Sequence, residues 1–72
     1  MTPTIEIKFG NLLPEYKDNF YLAGNERMVE NKTMTLIKDM DSICYVEIDY
    51  GIYVGKVRIH KDYFDEVKII EC

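Results

Sequence analysis

The stretch from Ile43 to His60 reads ICYVEIDYGIYVGKVRIH, and its pattern decides the fold. Apolar and polar side chains alternate on both sides of Tyr50-Gly51, which is the period of β-strands that bury one face. Glycine adopts positive φ without steric cost. The sequence therefore predicts a β-hairpin that turns at Tyr50-Gly51.

The length of the hairpin loop decides which side chains face the core. A loop of three residues would turn Lys56 and Arg58 toward the core, which is costly for charges in a small protein. We therefore predict a two-residue loop at positions 50 and 51. This loop pairs Ile48 with Tyr53, Val46 with Gly55 and Cys44 with Val57 on the core face. Its polar outer face holds Tyr45, Glu47, Asp49, Lys56, Arg58 and His60, with Ile52 and Val54 also pointing outward.

The N-terminal segment predicts a strand followed by a long loop. Thr4–Phe9 alternates apolar and polar residues, with Ile5, Ile7 and Phe9 inward. Pro14 cannot pair in the centre of a sheet, so we expect an irregular passage around it.

The middle of the chain leaves alternatives open. Asn19–Ala23 is β-prone and predicts a short arm against Arg27–Glu30 across the turn at Gly24-Asn25. Within residues 25–40, the spacing of apolar residues fits one face of a helix, but Met34–Ile37 and the neighbouring threonines favour a strand. We expect a strand and keep a helix as the alternative.

The C-terminal part completes an all-β protein. Lys61–Asp65 predicts a short helical turn, and Glu66–Ile70 predicts a final strand. A chain of 72 residues has room for one small core. The predicted fold class is therefore all-β with one short helical turn, in a single domain over residues 1–72.

This order of elements resembles the small five-stranded SH3-like barrel. CYVEIDYGIYVGKVRIHKDYFDEVKII is similar to the second half of SH3 domains, where a tight turn precedes a glycine, a strand, a helical turn ending in tyrosine, and a last strand. Gly55 matches that glycine, and Tyr63-Phe64 matches the tyrosine and its neighbour. The resemblance implies a groove role for Tyr63, whereas Cys44-Tyr45 stands where the family has its peptide-stacking tryptophan.

Charge is distributed unevenly along the chain. Thirteen acids against nine bases give a net charge of -4, which argues against a protein that coats nucleic-acid phosphates. Residues 39–49 carry the acids Asp39, Asp41, Glu47 and Asp49 and no base. Residues 56–61 carry the bases Lys56, Arg58 and Lys61 and no acid. We expect two opposite charged patches.

Localisation is predicted from apolar runs and cysteines. No apolar run reaches the roughly 18 residues that cross a bilayer, and the first ten residues lack the basic start and apolar segment of a signal peptide. Cys44 and Cys72 match no metal or redox spacing. We interpret both as reduced thiols and expect a cytoplasmic protein.

No catalytic or cofactor motif occurs in the sequence. His60 is the only histidine, and together with Asp62 it offers two metal ligands where zinc needs at least three from the protein. The glycines are dispersed as turn residues and form no phosphate-binding loop. We expect no enzymatic activity, no cofactor and no metal.

The sequence favours a protein-binding module that acts as a small acidic regulator or inhibitor of a larger protein. Its six tyrosines are typical of interfaces. The predicted binding residues are Tyr45, Glu47, Asp49, Ile52, Val54, Lys56, Arg58 and Tyr63. In one variant of this hypothesis, the acidic run covers a nucleic-acid-binding surface of the target, as small virus-encoded inhibitors do.

Two other functions remain as alternatives. The first is direct nucleic-acid binding, in which Lys56, Arg58 and Lys61 contact phosphates and Tyr63 stacks on a base. The second is a self-associating structural subunit, in which the apolar outer stripe is a homodimer contact.

Overall fold

Five strands form one antiparallel sheet with short helical turns, which confirms the all-β prediction. The computed structural model describes residues 4–19 and 21–71. The strands are β1 (Ile5–Phe9), β2 (Thr33–Asp39), β3 (Ile43–Asp49), β4 (Val54–His60) and β5 (Val67–Glu71). The helical turns are α1 (Pro14–Lys17) and two 3-10 helices, Glu26–Met28 and Lys61–Tyr63. The strand order is β4-β3-β2-β1-β5, so consecutive strands are neighbours and β5 returns to pair with β1.

The hairpin of β3 and β4 has the predicted faces but a wider loop. Cys44 pairs with Ile59, Val46 with Val57, Ile48 with Gly55 and Asp49 with Val54. Residues 50–53 therefore connect the strands, and the predicted two-residue loop is wrong. Because side chains alternate with a period of two, the two-residue shift in register changes the partners but leaves each strand side chain on its predicted face.

Contacts within the loop explain its extra length. The Asp49 carboxylate accepts a hydrogen bond from the Gly51 backbone N–H at 2.8 Å, as in an Asx turn. The Tyr50 N–H donates to the Tyr53 carbonyl at 2.9 Å, and the two tyrosine rings stack with centroids 4.8 Å apart. Gly51 has a φ of 91°, which favours glycine. Tyr50-Gly51 thus marks the turn, whereas Asp49 and the two tyrosines set its length.

The hydrophobic core combines one face of the sheet with the connection between β1 and β2. The buried strand residues are Ile7, Phe9, Cys44, Val46, Val57 and Ile59. The β1–β2 connection adds Leu12, Ala23 and Val29. Phe64 closes the core from the C-terminal side, with its ring centroid 4.8 Å from that of Phe9. Ile5 was also predicted to face inward, but it is exposed at the first position of β1.

The β1–β2 connection departs most from the prediction. The predicted strand arm is wrong, because residues 21–25 contain turns and Glu26–Met28 is a 3-10 helix. Phe20 of the same arm lies outside the described residues. The Arg27 guanidinium donates hydrogen bonds to backbone carbonyls at the end of α1. These tertiary contacts override the local β propensity. Pro14 begins α1, where its missing N–H costs nothing.

The other predicted elements are close to their observed positions. Within residues 25–40, the strand interpretation is confirmed over Thr33–Asp39 by β2, which contains a bulge between Leu36 and Lys38, whereas Glu26–Met28 is a 3-10 helix. The second 3-10 helix begins at Lys61, as predicted, and β5 begins at Val67, one residue later than predicted. No helix within residues 4–19 or 21–71 is both long and apolar enough to cross a membrane.

Cys44 is a buried free thiol on the core face of β3. Loss of contact with water penalises the thiolate, and this burial raises the pKa of Cys44 to about 11. Cys72, the other cysteine predicted to be reduced, lies outside the described residues.

The Cys44 thiol should make stability decrease in alkali. Between the ordinary pKa of 9.0 and the folded value of about 11, the unfolded chain has lost this proton while the folded chain keeps it, so stability falls as pH rises. Over that window the wild type should lose on the order of 2 kcal/mol more than Cys44→Val. Urea unfolding at a series of pH values, with Cys72→Ser in both proteins, measures this difference. Parallel pH profiles would contradict it.

Candidate protein-binding surface

Most of the predicted binding residues lie together on the outer face of β3 and β4. The paired strands place Tyr45 opposite Arg58, Glu47 opposite Lys56, and Asp49 opposite Val54. All but Tyr45 are exposed, and Tyr45 is half-buried. We call Tyr45, Glu47, Asp49, Lys56 and Arg58 the outer face.

An exposed apolar and aromatic group stands at the end of this hairpin. Its members are Tyr50, Ile52, Tyr53 and Val54, which we call the apical patch. Ile52 is 91% exposed and Val54 is 56% exposed. Single exposed apolar residues are common on protein surfaces, but four exposed apolar or aromatic residues within five positions concentrate such surface at the hairpin end, as at interaction sites.

The aromatic part of the apical patch has a defined geometry. The rings of Tyr50 and Tyr53 stack at an interplanar angle of 26°. They lie over Gly55, and a Cβ at that position would be 3.2 Å from the Tyr50 ring. Glycine at position 55 thus leaves room for the stacked pair, which presents rigid aromatic surface at low entropic cost.

The acidic and basic patches are adjacent in the structure. The acids of β3 and the bases of β4 form neighbouring rows on the outer face, and Glu47 faces Lys56 directly. At the other end of the hairpin, the Lys61 ammonium contacts the Asp39 carboxylate at 2.5 Å. An exposed charge pair such as Glu47 and Lys56 contributes at most about 1 kcal/mol. Glu47, Asp49 and Lys56 place charges of both signs beside the apical patch.

Tyr63 lies in a different cluster from the other predicted binding residues. Its ring stacks on Tyr16 with centroids 4.0 Å apart and on His60 with centroids 4.8 Å apart. Partial burial, followed by the charge of Glu15, raises the pKa of the Tyr16 phenol. Tyr16 was missed by the sequence prediction, because no spacing rule relates a residue of α1 to one in the second 3-10 helix.

Glu26 is a buried acid that the sequence prediction also missed. It is 3% exposed, and its Oε2 accepts a hydrogen bond from the His60 backbone N–H at 2.9 Å. The His60 Nδ1 lies 3.2 Å from the same oxygen. This contact fastens the β1–β2 connection to the end of β4. Among the described residues, no group of three or more histidine, cysteine, aspartate or glutamate side chains is arranged to hold a metal ion.

Comparison with known proteins assigns no family to this surface. No protein-family model matches the chain, and neither a curated protein nor a solved structure matches it. The function must therefore be inferred from the surface itself.

Glu26→Ala should destabilise the protein strongly. The change leaves the His60 backbone N–H without its acceptor, which costs about 2 to 3 kcal/mol in the free energy of unfolding. Glu15→Ala, at an exposed position of α1, should cost less than about 0.5 kcal/mol. Urea unfolding of both variants measures the difference, and similar values for the two would show that the Glu26 contact is not structural.

Proposed function

We propose that this protein is a non-enzymatic protein-binding module that regulates or inhibits a larger protein through the apical patch and the outer face. The observation that carries the proposal is the exposure of Tyr50, Ile52, Tyr53 and Val54 within five positions at the hairpin end. Leaving these side chains in water forgoes the stabilisation that apolar burial would give. A partner that covers these four side chains gains the stabilisation of their burial on binding.

The arrangement of this surface supports the proposal. Protein interfaces have an apolar and aromatic centre surrounded by a polar rim. The apical patch supplies the centre, and Glu47, Asp49 and Lys56 lie next to it as the rim. The rim residues have opposite charges, which gives orientation and specificity to an encounter more than affinity.

The proposed module has the architecture of an SH3-like barrel. The strand order, the long β1–β2 connection and the 3-10 helix before β5 are compatible with that fold. In this proposal Tyr63 is a groove residue in the stack with Tyr16 and His60, apart from the apical patch. Fold does not determine function, so the exposed surface carries the greater weight.

The acidic variant of the proposal receives less support from the contacts. In that variant, Asp39, Asp41, Glu47 and Asp49 cover a nucleic-acid-binding surface of the target, in the manner of virus-encoded inhibitors. Asp39 is engaged by Lys61, and Glu47 faces Lys56, so part of the acidic charge is balanced within the chain. The apical patch binds through apolar and aromatic surface, which no charge within the chain neutralises. It is therefore the stronger anchor. A cytoplasmic location remains a prediction.

The two other functional classes also remain proposals with weaker support. For nucleic-acid binding, Lys61 is largely buried beside Asp39, which leaves Lys56 and Arg58 as the exposed bases of the predicted patch. For self-association, the apical patch would be the homodimer contact. A gel shift at low salt tests the first class, and light scattering over a concentration series tests the second.

Affinity capture with surface variants tests the main proposal. Ile52→Ser combined with Val54→Ser removes exposed apolar surface from the apical patch without opening the core. Partner proteins retained by the wild type should bind this double variant at least about tenfold more weakly. Tyr21→Ser is the matched control, because Tyr21 is 98% exposed in the β1–β2 connection and outside the patch.

The capture experiment has a clear opposing outcome. If the wild type, the double variant and Tyr21→Ser retain the same partners equally well, the apical patch is not the binding site and the proposal fails. Salt-sensitive retardation of nucleic acid, together with no retained protein, would favour the nucleic-acid alternative.

A further inference from the structure

β4 is the last strand of the sheet, and part of its outer edge is open. Its inner edge pairs with β3 over its whole length. The Arg58 carbonyl accepts a hydrogen bond from the Asn25 side chain, and the His60 N–H donates to Glu26, so these backbone groups point away from β3. In an antiparallel strand, alternate residues direct both backbone groups to the same edge. Val54 and Lys56 therefore also direct their N–H and C=O groups outward.

In the part of the chain that the structure describes, contacts cover one end of this edge. The β1–β2 connection reaches the carbonyl of Arg58 and the N–H of His60 through the side chains of Asn25 and Glu26. Within residues 4–19 and 21–71, no backbone–backbone hydrogen bond reaches the outward groups of Val54 or Lys56. Both residues are exposed. We call the outward edge from Val54 to the N–H of Arg58 the open edge.

We propose that the open edge binds an extended acidic segment of a partner protein, which adds to the sheet as a sixth strand. This inference rests on the proposed protein-binding function and specifies the chemistry of the partner. Backbone hydrogen bonds to the open edge supply the attachment, and side chains of the added strand supply selectivity.

The charges beside the open edge select an acidic segment. Lys56 and Arg58 are exposed on the outer face of β4. An added strand places its own outer-face side chains about 5 Å from them, the distance of cross-strand pairs. On the β3 side, Lys56 faces Glu47, but Arg58 faces Tyr45 and has no acid directly across from it. Glutamate or aspartate on the added strand provides the missing opposite charge.

The same charges disfavour a second copy of this chain as the occupant. Pairing two β4 strands around a two-fold axis at Lys56 would place this lysine opposite its own copy. Like charges directly opposite each other in a sheet are destabilising. Lysine and arginine beside an exposed strand are also a common protection against indiscriminate edge-to-edge pairing. The open edge thus repels a second copy and attracts an acidic strand.

A synthetic peptide tests the proposal directly. The probe is a seven-residue peptide with blocked ends in which glutamate alternates with valine. Its addition to the isotope-labelled protein should shift the amide signals of Val54, Lys56 and Arg58 most. It should also slow hydrogen exchange at these three N–H groups, which contact through side chains alone would not do. Two control peptides, lysine alternating with valine and glutamates in one block followed by valines, should bind at least about tenfold more weakly.

Charge reversal on the protein provides the matched control. Arg58→Glu should weaken binding of the glutamate–valine peptide about tenfold at low salt, because it replaces an attractive cross-strand pair with a repulsive one. Arg58 is the better site for this change, since its neighbour on β3 is Tyr45 and the new glutamate meets no acid there. Lys68→Glu makes the same change in charge on β5, where Lys68 faces Lys8, and should leave the affinity unchanged.

The outcomes separate this inference from the proposed function. Equal affinity for Arg58→Glu and Lys68→Glu, no slowed exchange at Val54 and Lys56, or formation of a dimer through β4 would each overturn the edge proposal. Ile52 lies outside β4 and outside the open edge, so Ile52→Ser alone should still bind the peptide. Peptide binding together with unchanged capture by the Ile52→Ser and Val54→Ser double variant would sustain the edge site and overturn the apical site.

Discussion

The pairing of β3 with β4 is the constraint on which the rest of the structure depends. It buries Cys44, Val46 and Ile59 on one face of the hairpin. Full burial of an aliphatic side chain contributes about 1.5 to 3 kcal/mol, whereas the exposed pair of Glu47 and Lys56 contributes at most about 1 kcal/mol. Apolar burial therefore fixes which face of the hairpin is inside, and the charges take the face that remains. The outer face, the apical patch and the direction of the open edge all follow from this pairing.

The contact between Glu26 and His60 is the second constraint, and it links the core to the surface. It brings the β1–β2 connection against the end of β4, so that Ala23 and Val29 cover the core. The same contact occupies an outward backbone group of β4. The closure of the core thus determines where the edge of the sheet is covered and where it stays open. The structural role of this buried carboxylate cannot be predicted from the sequence pattern, because its hydrogen-bond partner is 34 residues away.

The sequence predicted those features that depend on local periodicity. Alternation with a period of two was enough to place Val46 inside and Lys56 outside. This assignment is correct although the loop is two residues longer than predicted. The loop length itself depends on the Asp49 side chain and the Tyr50–Tyr53 stack, which periodicity does not encode. Longer-range contacts could not be predicted from periodicity either. Hydrogen bonds from Arg27 to α1 hold the preceding β-prone segment in turns. The second 3-10 helix turns Tyr63 toward Tyr16.

The apical patch and the open edge meet at Val54, which gives them complementary roles in binding. A strand added along so short an edge gains few hydrogen bonds, each of modest net value, and cross-strand side-chain pairs of about 0.2 to 1 kcal/mol. Association costs at least several kcal/mol in lost translational and rotational freedom, so the edge alone supports only a weak complex. The apical patch can contribute the larger apolar term, but apolar burial is non-directional. A partner that covers Ile52 and Val54 and continues as an acidic strand along Lys56 and Arg58 would obtain affinity from the first surface and orientation from the second.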